Sequence, residues 1–108
     1  MILKSYQVNR KDEVDNIDAV LQDGEKEHSL EAQGRGVLEA FVSGLSKHTG
    51  KEIVIIEYNE HTLGNNDGSE AMAYVQMSID SQRICGASKS RDILDATLNA
   101  ILHAIARV

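Results

Sequence analysis

A doubled pattern constrains this chain more than any other feature. Three stretches that alternate apolar and polar residues lead into a helical stripe, and the same order then returns. In the first half, Ile2 to Val8 carries Ile2, Tyr6 and Val8 on one alternating face, and Asn9-Arg10-Lys11-Asp12-Glu13 reads as a charged turn. Ile17, Ala19 and Leu21 alternate with Asn16, Asp18 and Val20, which predicts a second strand. Asp23-Gly24 predicts a hairpin, because both residue types tolerate a positive φ. His28, Leu30 and Ala32 alternate with Glu27, Ser29 and Glu31 in a third strand. Gly34 and Gly36 then lead into Val37, Leu38, Phe41, Val42 and Leu45, one stripe at helical spacing, which Thr49-Gly50 would stop.

The second half opens on Glu52 to Tyr58, where the β-branched run Ile53-Val54-Ile55-Ile56 suits a strand apolar on both faces. Gly64-Asn65-Asn66-Asp67-Gly68 is the clearest loop signal in the chain. Ala71, Ala73, Val75, Met77 and Ile79 alternate with Met72, Tyr74, Gln76 and Ser78, after which Asp80-Ser81-Gln82 predicts a turn into a short strand, Arg83-Ile84-Cys85. Gly86-Ala87-Ser88 echoes the first glycine element ahead of a second helix, with Ser90 placed to cap it and Asp92 in its first turn. Leu94, Leu98, Ile101, Leu102 and Ile105 form the apolar stripe of that helix, and Asp95, Asn99 and His103 a polar one. The order predicts an α+β fold of two βββα repeats, about 1–50 and about 51–108, with antiparallel strands and helices packed on one side. A chain of 108 residues is expected to be a single domain with a modest core, for which pairing with a second copy is a reasonable expectation.

Composition excludes several function classes. A formal charge of −6 argues against a nucleic-acid binder and against an anionic membrane surface. No apolar run is long enough to span a bilayer, and Met1-Ile2-Leu3-Lys4-Ser5-Tyr6 lacks the pattern of a signal peptide. Cys85 is the only cysteine, so an internal disulfide and a cysteine-based zinc site are excluded and a cytoplasmic location is the default expectation. With no obvious base beside it, Cys85 reads as a buried small hydrophobe in a strand and not as a nucleophile. The four histidines are scattered, and Glu60-His61 has no i+4 partner, so neither a metal nor a cofactor is expected. The Gly34–Gly36 element has two readings: a tight strand-to-helix turn, or a seat for the carboxylate of a small ligand on unpaired helix N–H groups. It lacks the third glycine of a dinucleotide fingerprint and the Gly-Lys of a phosphate loop.

Taken together, the motifs resemble a known family. Leu3-Lys4-Ser5-Tyr6-Gln7-Val8 is similar to the opening strand of the C-terminal regulatory domain of the 2-isopropylmalate synthase and citramalate synthase family. Gly34-Arg35-Gly36-Val37-Leu38-Glu39-Ala40-Phe41 resembles its Gly-Asn-Gly-led helix, and Glu57-Tyr58-Asn59-Glu60-His61-Thr62-Leu63-Gly64 its Asp-Tyr-Ser-Glu-His-Ala-Leu-Gly stretch. Ala71-Met72-Ala73-Tyr74-Val75-Gln76 and Asp92-Ile93-Leu94-Asp95-Ala96-Thr97-Leu98 resemble the following strand and the last helix. The resemblance implies a dimeric allosteric domain of two βββα units that binds the end-product amino acid, leucine, between subunits. It implies a partner catalytic TIM barrel, whose metal ligands and base have no counterpart here, so this chain alone is not expected to catalyse a reaction. The implied effector site comprises Gly34, Gly36, Leu38, Ala40, Tyr58, Leu63, Ala71, Ala73, Gly86 and Ser88. Departures from the family pattern are Arg35 for asparagine, Gly68 for aspartate, Ser88 for glycine and Ser90 for aspartate. Two alternatives stay open: an isoleucine-sensing citramalate synthase domain, and a structural dimerisation module or stand-alone homologue that has lost effector binding.

Overall fold

The computed structural model describes residues 1–63 and 70–108. The Leu63 side chain and the expected loop at Gly64–Gly68 lie outside the described residues. The chain divides into two compact units, Met1–Ile53 and Val54–Val108. The first contains β1 (Ile2–Lys11), β2 (Val14–Asp23), β3 (Lys26–Gly34) and α1 (Val37–Thr49). The second is built from β4 (Ile53–Leu63), β5 (Glu70–Ile79), β6 (Gln82–Ser90) and α2 (Ile93–Ile105). Each unit is a three-stranded sheet in sequential order followed by one helix, as the doubled pattern predicts. Adding 56 to the residue numbers of β2, β3 and α1 gives β5, β6 and α2 end to end.

In the first unit, Ile17, Ala19 and Leu21 on β2 and Leu30 on β3 turn to the face that α1 covers, and meet Ala40, Phe41, Val42 and Leu45. Phe41, Ile17, Leu21 and Leu45 are fully buried, each worth about 1.5–3 kcal/mol of apolar transfer. In the second unit, Ala73, Val75, Met77 and Ile79 on β5 face Leu98, Ile101 and Leu102 on α2. The two cores distribute bulk differently at equivalent positions. Leu30 on β3 sits over Gly44 on α1; in the repeat, Gly86 on β6 lies under Ala100 and Ala104 on α2. One contact puts the large side chain on the strand and leaves the helix bare. Its repeat strips the strand instead and loses volume, and α2 makes this good by lying close on the bare strand, with the Ala100 carbonyl oxygen 2.2 Å and the Ala104 nitrogen 2.7 Å from where a Gly86 Cβ would stand.

Four local expectations need correction. The first is Ile2, which is 66% exposed, whereas Leu3 is half-buried with Tyr6 and Val8. Lys4 is an extra residue in β1, because Leu3 pairs with Leu21 and Ser5 with Val20; this bulge moves Ile2 to the outer face. Second, the hairpins are tighter than read. Asp12-Glu13 and Asp80-Ser81 each take two successive positive φ angles, the form that matches strand twist, and Gly24 (φ 64) turns the chain with Glu25 while Asp23 stays in β2. Third, β6 is not the short strand Arg83–Cys85 but runs on to Ser90, so Gly86-Ala87-Ser88 lies inside a strand and does not start a helix. Fourth, Cys85 is in a strand but exposed: it pairs with Gln76, on the face away from α2. The free edge of β6 is tended by α2 and its end, since His103 Nδ1–H donates to the Ala87 carbonyl (2.7 Å) and Arg107 Nη1 donates to the Cys85 carbonyl (3.5 Å).

Candidate functional site

The β3–α1 junction is built by two glycines that do different work. Gly34 ends β3, and a Cβ there would lie 2.8 Å from the Ala40 nitrogen and 3.1 Å from its Cα. Only glycine lets the first turn of α1 close down on the strand. Gly36 is the N-cap, with an extended backbone (φ −158°, ψ 157°), and its carbonyl accepts from the Ala40 N–H at 2.9 Å. A Cβ on Gly36 would meet nothing within 4 Å, so nothing in the packing of the described residues demands glycine there. Among the described residues, no side chain caps α1. Its first-turn N–H groups are therefore the uncapped partial positive end of a helix dipole, although Glu39 places a carboxylate in the same turn.

The repeat-equivalent end of α2 is different. Asp92 occupies the position of Gly36, and its carboxylate accepts from the Leu94 N–H at 3.0 Å. The expected cap, Ser90, is one step removed: its hydroxyl accepts from the Asp92 N–H at 3.3 Å. The carboxylate of Asp92 thus fills in the second unit the role that is vacant at Gly36.

The residues expected at the site fall into two groups, one per unit. Gly34, Gly36, Leu38 and Ala40 are gathered at the start of α1, where Leu38 is half-buried and Ala40 is sealed inside the unit. Ala71, Ala73, Gly86 and Ser88 share the α2-covered face of β5 and β6, with Ala73 paired to Ser88. Ala73 is 1% exposed, and Gly86 is closed over by the backbone of Ala100 and Ala104. Packing within the unit therefore consumes Ala73 and the helix-facing side of Gly86, which otherwise borders a cleft beside Tyr74 and Arg107. Tyr58 is half-exposed on β4, and Leu63 contributes no described side chain. Two clefts, of about 270 Å³ beside Tyr74 and Arg107 and about 470 Å³ beside Asp18 and Lys47, are not lined by Gly34, Gly36, Leu38 or Ala40.

The sequence of the whole chain, residues 1–108, matches the model of one family, described as LeuA allosteric (dimerisation) domain. The chain belongs to that family. Relatives of this LeuA allosteric domain include proteins named 2-isopropylmalate synthase. That of Mesorhizobium japonicum is 33% identical over 85% of this chain, and that of Mycobacterium ulcerans is likewise 33% identical over 85%. That of Alcanivorax borkumensis is 29% identical over 99%. The LeuA domain spans only 16–19% of the length of these relatives.

The LeuA domain carries one polar group that the sequence reading passed over. Asp15 is 8% exposed on β2, in phase with Ile17, Ala19 and Leu21, and pairs across the sheet with Gly34. The signal was present: extending the alternation one step toward the N-terminus places a carboxylate in a row of core positions. The histidines do not converge. His28 and His48 rings lie 4.7 Å apart and tie β3 to the end of α1, His61 meets Tyr74 edge-on at 5.6 Å, and His103 serves β6. Among the described residues, no three of His, Cys, Asp and Glu gather to hold a metal ion, and no helix is long and apolar enough to cross a membrane.

Proposed function

We propose that the two units together form one regulatory and dimerisation domain of a cytoplasmic 2-isopropylmalate synthase, answering to leucine as feedback effector. The observation that carries this reading is the uncapped start of α1 at Gly36, set against the self-capped start of α2 at Asp92. The N–H groups of Val37, Leu38 and Glu39 would hold the carboxylate of the amino acid. Leu38 is the expected apolar neighbour in the same unit that retains surface. Val54, Ile56 and Tyr58 alternate along the edge strand β4 and are 50%, 43% and 50% exposed, an apolar row suited to burial against a second copy. On this reading the chain does no chemistry itself; it biases a separate catalytic domain, by as much as leucine prefers one state of the dimer over the other, typically 1–3 kcal/mol.

Calorimetry and thermal melting with leucine, isoleucine and valine test the proposal. A Kd one hundredth of the leucine concentration would raise stability by about 2.7 kcal/mol. Replacing Gly36 with aspartate gives α1 the carboxylate that α2 already has. The variant is expected to be as stable as the parent or more so, by about 0.3–1 kcal/mol from the helix dipole, and to lose the ligand. No heat and no rise in melting temperature at millimolar leucine or isoleucine would sink the effector reading and leave the dimerisation module, which the apolar row on β4 supports by itself. A response to isoleucine alone would move the assignment to a citramalate synthase.

A further inference from the structure

The start of α1 would accept an anion, but it has a carboxylate as its neighbour. Asp15 lies on the α1-covered face of β2, directly across from Gly34, whose Cβ position would touch the first turn of α1 at Ala40. Side chains so opposed have Cβ atoms about 4.5–5.5 Å apart, so Asp15 stands one strand away from the uncapped helix end. It is more than nine-tenths buried, and no hydrogen bond or ion pair to it occurs among the described residues. Arg10, its partner on β1, is exposed and makes no ion pair with it. No described side-chain oxygen is both sealed from solvent and without a partner, so the surface that Asp15 keeps includes its carboxylate. In the second unit the equivalent position is Ala71, and the carboxylate of that unit sits on the helix end itself, at Asp92.

The first unit therefore leaves two unmet demands side by side. The helix end has no side-chain cap, and the largely buried Asp15 carboxylate has no cation beside it among the described residues. A simple anion would satisfy one and be repelled by the other. A molecule that carries both charges on neighbouring atoms would satisfy both. We infer that Asp15 receives the α-ammonium of the effector whose carboxylate rests on α1, and so makes the site select α-amino acids against the same carbon skeletons without the ammonium. The inference rests on the effector reading above and adds to it a specificity-determining residue.

The test is calorimetry on the full chain and on Asp15→Asn. The probes are leucine and isoleucine, together with 4-methylpentanoate and 3-methylpentanoate, which are the same skeletons without the ammonium. The parent is expected to bind its amino acid at least 100-fold more tightly than the matching acid. Asp15→Asn should weaken amino-acid binding at least tenfold and leave the acid unchanged or tighter, so that discrimination collapses. A merely structural Asp15 would lower the melting temperature without moving that ratio, and an unchanged ratio overturns the inference while the effector reading stands. A parent that binds amino acid and acid alike overturns it equally, and that arm decides alone if circular dichroism shows Asp15→Asn unfolded. A parent that binds neither amino acid overturns both readings.

Discussion

Replacing Gly86 with alanine adds one methyl group to β6 where α2 leaves no room for it. The new Cβ would lie 2.2 Å from the Ala100 carbonyl oxygen, 2.7 Å from the Ala104 nitrogen and 2.9 Å from the Ala104 Cβ. Heavy atoms rest about 3.5–4.0 Å apart, so the helix must rise by roughly 1 Å or more. The nearest two of those atoms are backbone and cannot rotate away. Lifting α2 also loosens Leu98, Ile101 and Leu102, which are buried along it. Overpacking of this kind costs about 1–3 kcal/mol, and the backbone contacts place Gly86→Ala at the upper end. Relief of the glycine's excess chain entropy returns only about 0.5–1 kcal/mol. Gly44→Ala is the matched control on α1. Its Cβ would meet Leu30 Cδ2 at 2.6 Å, Ala32 Cβ at 2.9 Å and Leu30 Cγ at 3.0 Å. Most of that contact is the rotatable end of Leu30, and alanine gains about 1 kcal/mol over glycine inside a helix. Urea unfolding followed by circular dichroism should place the Gly86→Ala midpoint about 1 M below the parent and Gly44→Ala within about half that distance, for a slope of about 1–3 kcal/mol per M. A Gly86→Ala midpoint equal to the parent's, or a Gly44→Ala midpoint as low as that of Gly86→Ala, would refute the reasoning.

Two further outcomes are expected. Asp92→Ala removes the α2 cap and should cost about 1 kcal/mol, a drop of about 4–8 °C in melting temperature, most of which Asp92→Asn should restore. Deleting Lys4 removes the β1 bulge and keeps Leu3 opposite Leu21 and Ser5 opposite Val20, so the unfolding free energy read from urea titration should change by less than about 1 kcal/mol. A larger loss would show that the bend in β1 is needed and not merely tolerated.

The alternation of Ile17, Ala19 and Leu21, and of Ala71 through Ile79, made β2 and β5 legible, because each has one face turned to its own helix. β1 was misjudged at Ile2 because period-2 counting cannot see an inserted residue; the trace that the bulge leaves is the three-residue step from Leu3 to Tyr6. β6 looked short because Gly86-Ala87-Ser88 carries no bulky apolar group. The reason lies in Ala100 and Ala104, which approach from another element, and the strand itself does not disclose them. In the sequence Gly86-Ala87-Ser88 reads as an echo of Gly34-Arg35-Gly36, whereas the 56-residue correspondence sets Gly86 against Leu30 and Gly36 against Asp92. At the candidate site, Gly34 and Gly36 were legible as a helix start. Asp15 was not, because a carboxylate at the end of a strand normally reads as solvated.

The two helix ends invert the usual reading of a glycine at an N-cap. Gly34 is explained within its own unit, since any side chain would strike Ala40. Gly36 has no such explanation. Its backbone is extended, the space around its Cβ position is open, and an aspartate in the same place on α2 makes a working cap. A capping side chain there would improve the first unit through the helix dipole, by about 0.3–1 kcal/mol, and the chain lacks it. Beside that end it also keeps a buried carboxylate where the repeat has Ala71. Each feature alone is a modest loss of stability; both occur in the same unit, one at the start of α1 and one on β2, with opposite charge demands. On the proposed reading these are one feature: the first unit gives up what the second uses for itself, so that an amino acid can supply it and, by binding one state better than another, control the equilibrium between them.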